Sequence, residues 1–212
     1  MGLRYLGAQY SAGRSVDEMA EIAAAVASSY TEWAESAVTV EAVPPSLAAS
    51  NEYFISVLRL VGLTIGTGRI DSARQVLSAA GRHEPDALFR ALAALHGVAD
   101  RTGATVDSPT PRFARPLLRA LERPTEAADH ISTYLVDWPV RMKATDWMGS
   151  LERVAPGDDY GQGFFGYWAF ELAGLNIESK RAASATGSPV VPVDLLGQSR
   201  ASRTNGTDEQ HR

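Results

Sequence analysis

The residues of this chain best suited to chemistry are carboxylates set among aromatic rings. In residues 160–180, YGQGFFGYWAFELAGLNIESK, three of the six phenylalanines, two tyrosines and one of the four tryptophans fall within eleven residues. On a helix, Tyr167, Phe170 and Glu171 stand three and four apart, which puts Glu171 on an aromatic face rather than a solvent-facing one. A carboxylate in that position must be paired, hydrogen-bonded or protonated. Two uses are open to it. One is a core carboxylate that ties helices together through Tyr, Trp or Arg donors, for which Glu171→Gln is a mild change. The other is a catalytic carboxylate of raised pKa in an aromatic pocket, working with Asp158, Asp159 or His130.

Other chemistries lack their residues. The chain has no cysteine, which removes thiol nucleophiles, zinc–thiolate sites, iron–sulfur clusters and disulfides. His83, His96, His130 and His211 are scattered, and neither HExxH nor GxSxG occurs. Gly62, Gly66 and Gly68 lie between helical segments rather than after a strand, the wrong context for cradling phosphate. Asp158-Asp159 and Glu122/Glu126 are close in sequence, but a metal needs oxygens from further elements, and no such set is visible. No metal or organic cofactor is expected. With no signal-peptide core in MGLRYLGAQYSAGRS and no apolar run of membrane-spanning length, a cytoplasmic protein without membrane contact is expected.

The net charge of −5 is unevenly placed. Between Arg14 and Arg59 there is no basic residue, but there are seven acids: Asp17, Glu18, Glu21, Glu32, Glu35, Glu41 and Glu52. Residues 121–180 hold ten acids, among them Asp137, Asp146, Asp158 and Asp159, against five basic residues. Such a surface repels phosphate and favours a basic partner over direct nucleic-acid binding. Its alternative use is as a set of solubilising helix faces.

The elements that must position these groups read as helices. Ser15 and Glu18 form a capping box ahead of Val16, Met19, Ile22, Ala23 and Val26, and that helix reaches the Trp33 region before Pro44-Pro45 stops it. Further helices are expected over 51–65, 70–80 and 85–98, with a tight turn at Gly66-Thr67-Gly68. A loop over 101–111 leads to a helix over 112–121, with Pro116 as a kink or a late first-turn residue. Thr125 opens a helix through Tyr134 to Trp138, and Pro139 either bends it or starts another that reaches Trp147. A short aromatic helix is expected over 164–172, and brief strand signals appear only at 38–43 and 190–191. The expectation is an all-α, antiparallel multi-helix array in one domain over 1–196, with a disordered tail over 197–212.

Several pieces in this order resemble the PoNe-type immunity proteins, which neutralise polymorphic DNase toxins and carry the domain of unknown function 1911. A late GYWxFE motif stands here as Gly166-Tyr167-Trp168-Ala169-Phe170-Glu171. An upstream tyrosine with a tryptophan four residues on and a further tryptophan are matched by Tyr134, Trp138 and Trp147. QYSAGRSVDEM fits the family's opening Tyr-Ser-x-Gly turn and acidic helix, and PVDLL over 192–196 fits its short closing element. The likeness departs in two places: the family's longer alanine-rich helix after the glutamate is cut short here, and Pro139 follows Trp138 where an aromatic residue is usual.

The resemblance implies a non-enzymatic protein that binds and neutralises a cognate basic nuclease in the bacterial cytoplasm, in competition between bacteria. The family motif would then be structural. The acidic residues Asp17, Glu18, Glu21, Glu32, Glu35, Asp137, Asp146, Asp158 and Asp159 are the candidates for toxin binding. Oligomeric state is left open. The competing expectations are the small helical enzyme built on Glu171 and a helical adaptor without a toxin partner.

Overall fold

The computed structural model describes residues 2–39, 47, 50–81, 86–99, 110–142 and 168–197. These form nine α-helices and two 3-10 segments, with no strand among them. The helices are α1 (Gly2–Ser11), α2 (Val16–Thr39), α3 (Asn51–Gly66), α4 (Ile70–Ala80), α5 (Ala87–Leu95), α6 (Arg115–Glu122), α7 (Ala127–Arg141), α8 (Ile177–Ala185) and α9 (Val193–Leu196). The 3-10 segments are Pro124–Glu126 and Phe170–Gly174. The fold is all-α.

Local chemistry sets most of the boundaries. Ser15 Oγ accepts from the Glu18 amide at 3.3 Å, and the Glu18 carboxylate accepts from the Ser15 amide at 3.0 Å, so the reciprocal box starts α2. Ser50, Asp86 and Asn176 accept from the first-turn amides of α3, α5 and α8. At the far end of α3 the Gly68 amide bonds to Ile65 O at 3.0 Å and the Arg69 amide to Thr64 O at 2.7 Å. That pattern requires a left-handed residue, and Gly68 supplies it at φ 79°. Pro116 sits in the first turn of α6, where a missing N–H costs nothing.

Helix α3 is the axis of the packing. Its residues from Val57 to Gly66 are all buried, so it is covered on every side rather than along one stripe. Each helix from α1 to α7 packs on the next in the chain, α2 also lies on α4, and the segment Phe170–Gly174 runs along α3. Two small residues permit that approach. A Cβ on Gly62 would stand 2.0 Å from Phe170 O, and one on Gly66 would stand 3.0 Å from Ala173 Cβ. The buried hydroxyls of Thr64 and Thr67 bond back to Leu60 O and Leu63 O at 2.8 and 2.7 Å, so neither is left without an acceptor.

The structure differs from the sequence expectations at several elements. Helix α1, unanticipated, precedes the expected Tyr10-Ser11-x-Gly13 turn, where Gly13 has φ 78°. Of the two readings of Pro139, the structure excludes the new start at that residue: the chain runs on through it as one helix to Arg141. The expected aromatic α-helix is not one over its described part: Trp168 and Ala169 are outside any helix and Phe170–Gly174 is 3-10. The Ala169 amide bonds to Val190 O at 2.8 Å, a long-range partner that takes it out of a helical ladder. Val190 lies in a turn that the Val191 amide closes on Ser188 O at 3.1 Å, not in a strand, and residues 38–39 are the end of α2. Finally, α8 and α9 are helices beyond those expected. The expectations for 40–43, for the loop over 101–109 and for the tail after 197 lie outside the described residues.

Candidate functional site

The buried carboxylate and its partners come from three elements. Glu171, in the 3-10 segment, is 1% exposed and Arg59, in α3, is fully buried. Tyr134 and Trp138 stand four apart on α7, so they share one face and reach the same atom. Tyr134 Oη donates to Glu171 Oε1 at 2.5 Å and Trp138 Nε1 donates to the same oxygen at 2.9 Å. Arg59 Nε lies 3.4 Å from Glu171 Oε2, and the guanidinium carbon lies 5.6 Å from the centre of the Trp138 ring. Arg59 Nη2 also meets Met142 Sδ at 3.6 Å.

Burial pushes the Tyr134 hydroxyl far above its ordinary pKa, and the Glu171 charge pushes it the same way, so it stays a donor. Burial pulls Arg59 down, and the Glu171 carboxylate opposes that. This constellation joins α3, α7 and the 3-10 segment at one carboxylate. Sequence reasoning named Tyr, Trp or Arg as donors but missed Arg59 itself. The signal was a lone arginine inside FISVLRLVGLTI, where every neighbouring turn is apolar.

The rest of the aromatic motif ties α1 to the same segment. The Tyr10 ring packs edge-on against Trp168 at 4.9 Å and Phe170 at 5.2 Å. Trp168 Nε1 donates to Ser11 Oγ at 2.9 Å, and Tyr10 Oη donates to Asp194 of α9. Trp147, Gly166 and Tyr167 lie outside the described residues, as do the candidate acids Asp146, Asp158 and Asp159.

The remaining acids fall on two surfaces. Asp17, Glu18, Glu21, Glu32 and Glu35 are all exposed along α2, with Met19, Ala23 and Ala27 buried on its other side. They are not equivalent. Glu18 is held by the capping box and by Arg14 Nη1 at 2.8 Å, and the Ser15 amide and Arg14 hold its pKa below the ordinary range. Glu21 pairs with Arg69. Glu32 accepts only from Ser28 Oγ, at 2.9 Å, among the described contacts. Between Glu32 and Glu35, Trp33 is 41% exposed, its ring backed by Tyr30 at 6.0 Å and Tyr53 at 6.1 Å. Asp137 sits on α7, which packs on α6 and α8 rather than beside α2.

Glu32 and Glu35 also line an open groove of about 610 Å³ between α2 and α4, with Ser28, Thr31, Gln75 and Ser78. Arg74 at its edge is turned to His96 O and Asp71, both at 2.9 Å. Glu171 does not line this groove. His130 lies 3.6 Å from Glu126 on α7, and neither belongs to a group of three metal-ligating side chains among the described residues. No helix among the described residues is long and apolar enough to cross a membrane. No family model, curated protein or solved structure matches the chain.

Proposed function

We propose that the protein is a protective binder: it neutralises a basic nuclease toxin by seating the toxin's cationic surface on the acidic face of α2. The observation that carries this reading is the row of five exposed carboxylates on that helix, with the half-exposed Trp33 set between two of them. Nucleases grip phosphate through lysine and arginine, so a carboxylate row matches such a surface in sign and speeds encounter. Trp33 supplies the anchor. It is large, half-exposed and held from behind by two tyrosine rings, the kind of residue that anchors an interface.

Glu32, which has no cationic partner among the described residues, marks the stronger candidate centre. At the other end Glu18 and Glu21 already have cationic partners within the chain, and a new partner would have to displace Arg14 and Arg69. The likeness of Tyr134, Trp138, Trp168, Phe170 and Glu171 to the PoNe-type immunity motif supports the same reading, with those residues holding the fold. A cytoplasmic location follows from the role.

The test is to look for a nuclease toxin in the reading frames beside this chain's own and to titrate it calorimetrically, with DNA cleavage followed in parallel; a neighbourhood without one also counts against the reading. Stoichiometric binding that abolishes cleavage and weakens with salt is expected. Trp33→Ala should cost at least about 2 kcal/mol of binding, the mark of an interface hot spot. If that nuclease neither binds nor loses activity, the reading fails.

A further inference from the structure

Helix α6 and its flanks present a ridge of opposite sign. Arg112, Arg115, Arg119 and Arg123 are all exposed, at spacings of three and four, while Pro116, Leu117 and Ala120 are buried on the other side. Arg123 pairs with Glu126 at 3.4 Å and Arg115 Nε donates to Thr110 O at 3.2 Å. No ion pair among the described residues involves Arg115 or Arg119. The Cα atoms of these two arginines, four residues apart, are about 6 Å apart along the helix axis.

We infer that this ridge docks on the acidic face of α2 of a second copy of the chain. The acidic and basic ridges cannot meet within one molecule, because α2 packs on α1, α3 and α4 whereas α6 packs on α5 and α7. The contact is therefore heterologous, head to tail between copies. Residue type fits the match: Glu32 and Glu35 stand three apart on one face of α2, both exposed, and the planar guanidinium pairs well with carboxylates. Glu122 and Glu126 beside the ridge weaken its pull on any anion, carboxylate or phosphate, so the match rests on Arg115 and Arg119.

Exposed ion pairs each improve a dissociation constant by about fivefold at most, so the association is weak and sensitive to salt. It stands independently of the toxin reading, since it involves this chain alone. Where both hold, the toxin and α6 of a second copy compete for the same carboxylates.

Sedimentation equilibrium of the full chain tests it. At about 0.01 M salt, where charges act over about 30 Å, the weight-average mass should rise with concentration; at about 0.15 M, where the range is about 8 Å, it should fall back toward the monomer. R115E/R119E and E32R/E35R should each stay monomeric at the lower salt, and mixing the two should restore association, because each then carries the other's complement. All four positions are exposed; should either reversal fail to fold, R115Q/R119Q and E32Q/E35Q report the loss of association instead. A wild type that is monomeric at low salt, an arginine variant that associates like wild type, or a mixture that stays monomeric overturns the inference. Binding of double-stranded DNA by wild type that R115E/R119E abolishes, without self-association, replaces it with a polyanion site.

Discussion

Replacing Glu171 by glutamine changes one atom and removes one charge at the point where three elements meet. Both side chains of the Arg59–Glu171 pair are fully buried, so solvent cannot compensate. Glutamine can offer its single oxygen to Tyr134 and Trp138, in place of Oε1. Its amide nitrogen then faces Arg59 Nε across about 3.4 Å, donor against donor, and the guanidinium loses its counter-charge. Removing one partner of a buried pair typically costs about 3–5 kcal/mol. For a chain of this size that is a fall in Tm of roughly 6–20 °C. A mild effect, expected when Glu171 is treated only as a hydrogen-bond acceptor, is therefore replaced by a severe one. Urea unfolding of Glu171→Gln, Arg59→Met and the double variant measures it as a cycle. Each single change should be severe, and the double should cost less than their sum by about 2 kcal/mol or more. A Glu171→Gln cost below about 1 kcal/mol, or costs that simply add, would refute the reasoning.

Gly62→Ala places a methyl group 2.0 Å from Phe170 O, a backbone atom, so α3 and the 3-10 segment must separate; a loss of about 3 kcal/mol or more in thermal unfolding is expected. Ser15→Ala removes one half of the capping box and should lower stability by about 0.5–2 kcal/mol, with hydrogen exchange speeding first at the amides of Asp17 and Glu18. His96 has its pKa lowered from 6.5, by burial first and by the like charges of Lys180 and Arg74 next, with its bond to Gly174 O opposing. The unfolded chain therefore binds the proton more readily between that lowered value and 6.5, so stability falls as pH drops below 6.5 and levels off beneath the folded value. His96→Gln should flatten that part of a urea-midpoint profile; a wild-type profile and a variant profile of equal slope there would contradict it.

What was legible in the sequence was whatever local chemistry decides. The helix over 70–80 was readable to the residue and α3 to within one, because caps, a glycine turn and apolar spacing all lie inside or beside those segments. The Ser15–Glu18 box was readable for the same reason. Features fixed by distant partners were not. Helix α1 has no side-chain cap among the described contacts and carries two glycines; it is held by burying Leu6 and by Tyr10 against Trp168 and Phe170. The break from α-helix at Ala169 depends on Val190, twenty-one residues on. At the site, Glu171 could be placed on an aromatic face from spacing alone. That its counter-ion is Arg59 depends on α3 lying against the 3-10 segment, and no sequence interval encodes that.

The clasp between α1 and the far end of the chain has a consequence in time. Tyr10 and Asp194 are 184 residues apart, and Ser11 and Trp168 are 157 apart. At translation rates of about 5–20 residues per second, roughly 9–37 s separate the synthesis of Tyr10 from that of its partner. A ten-residue helix is too short to hold itself together in water for that interval. The amino-terminal segment therefore leaves the ribosome without a helix of its own and with only α2 and α3 to lean on. Until residues 168–194 emerge, Tyr10 and Ser11 lack the partners that close the clasp and are open to chaperones and proteases.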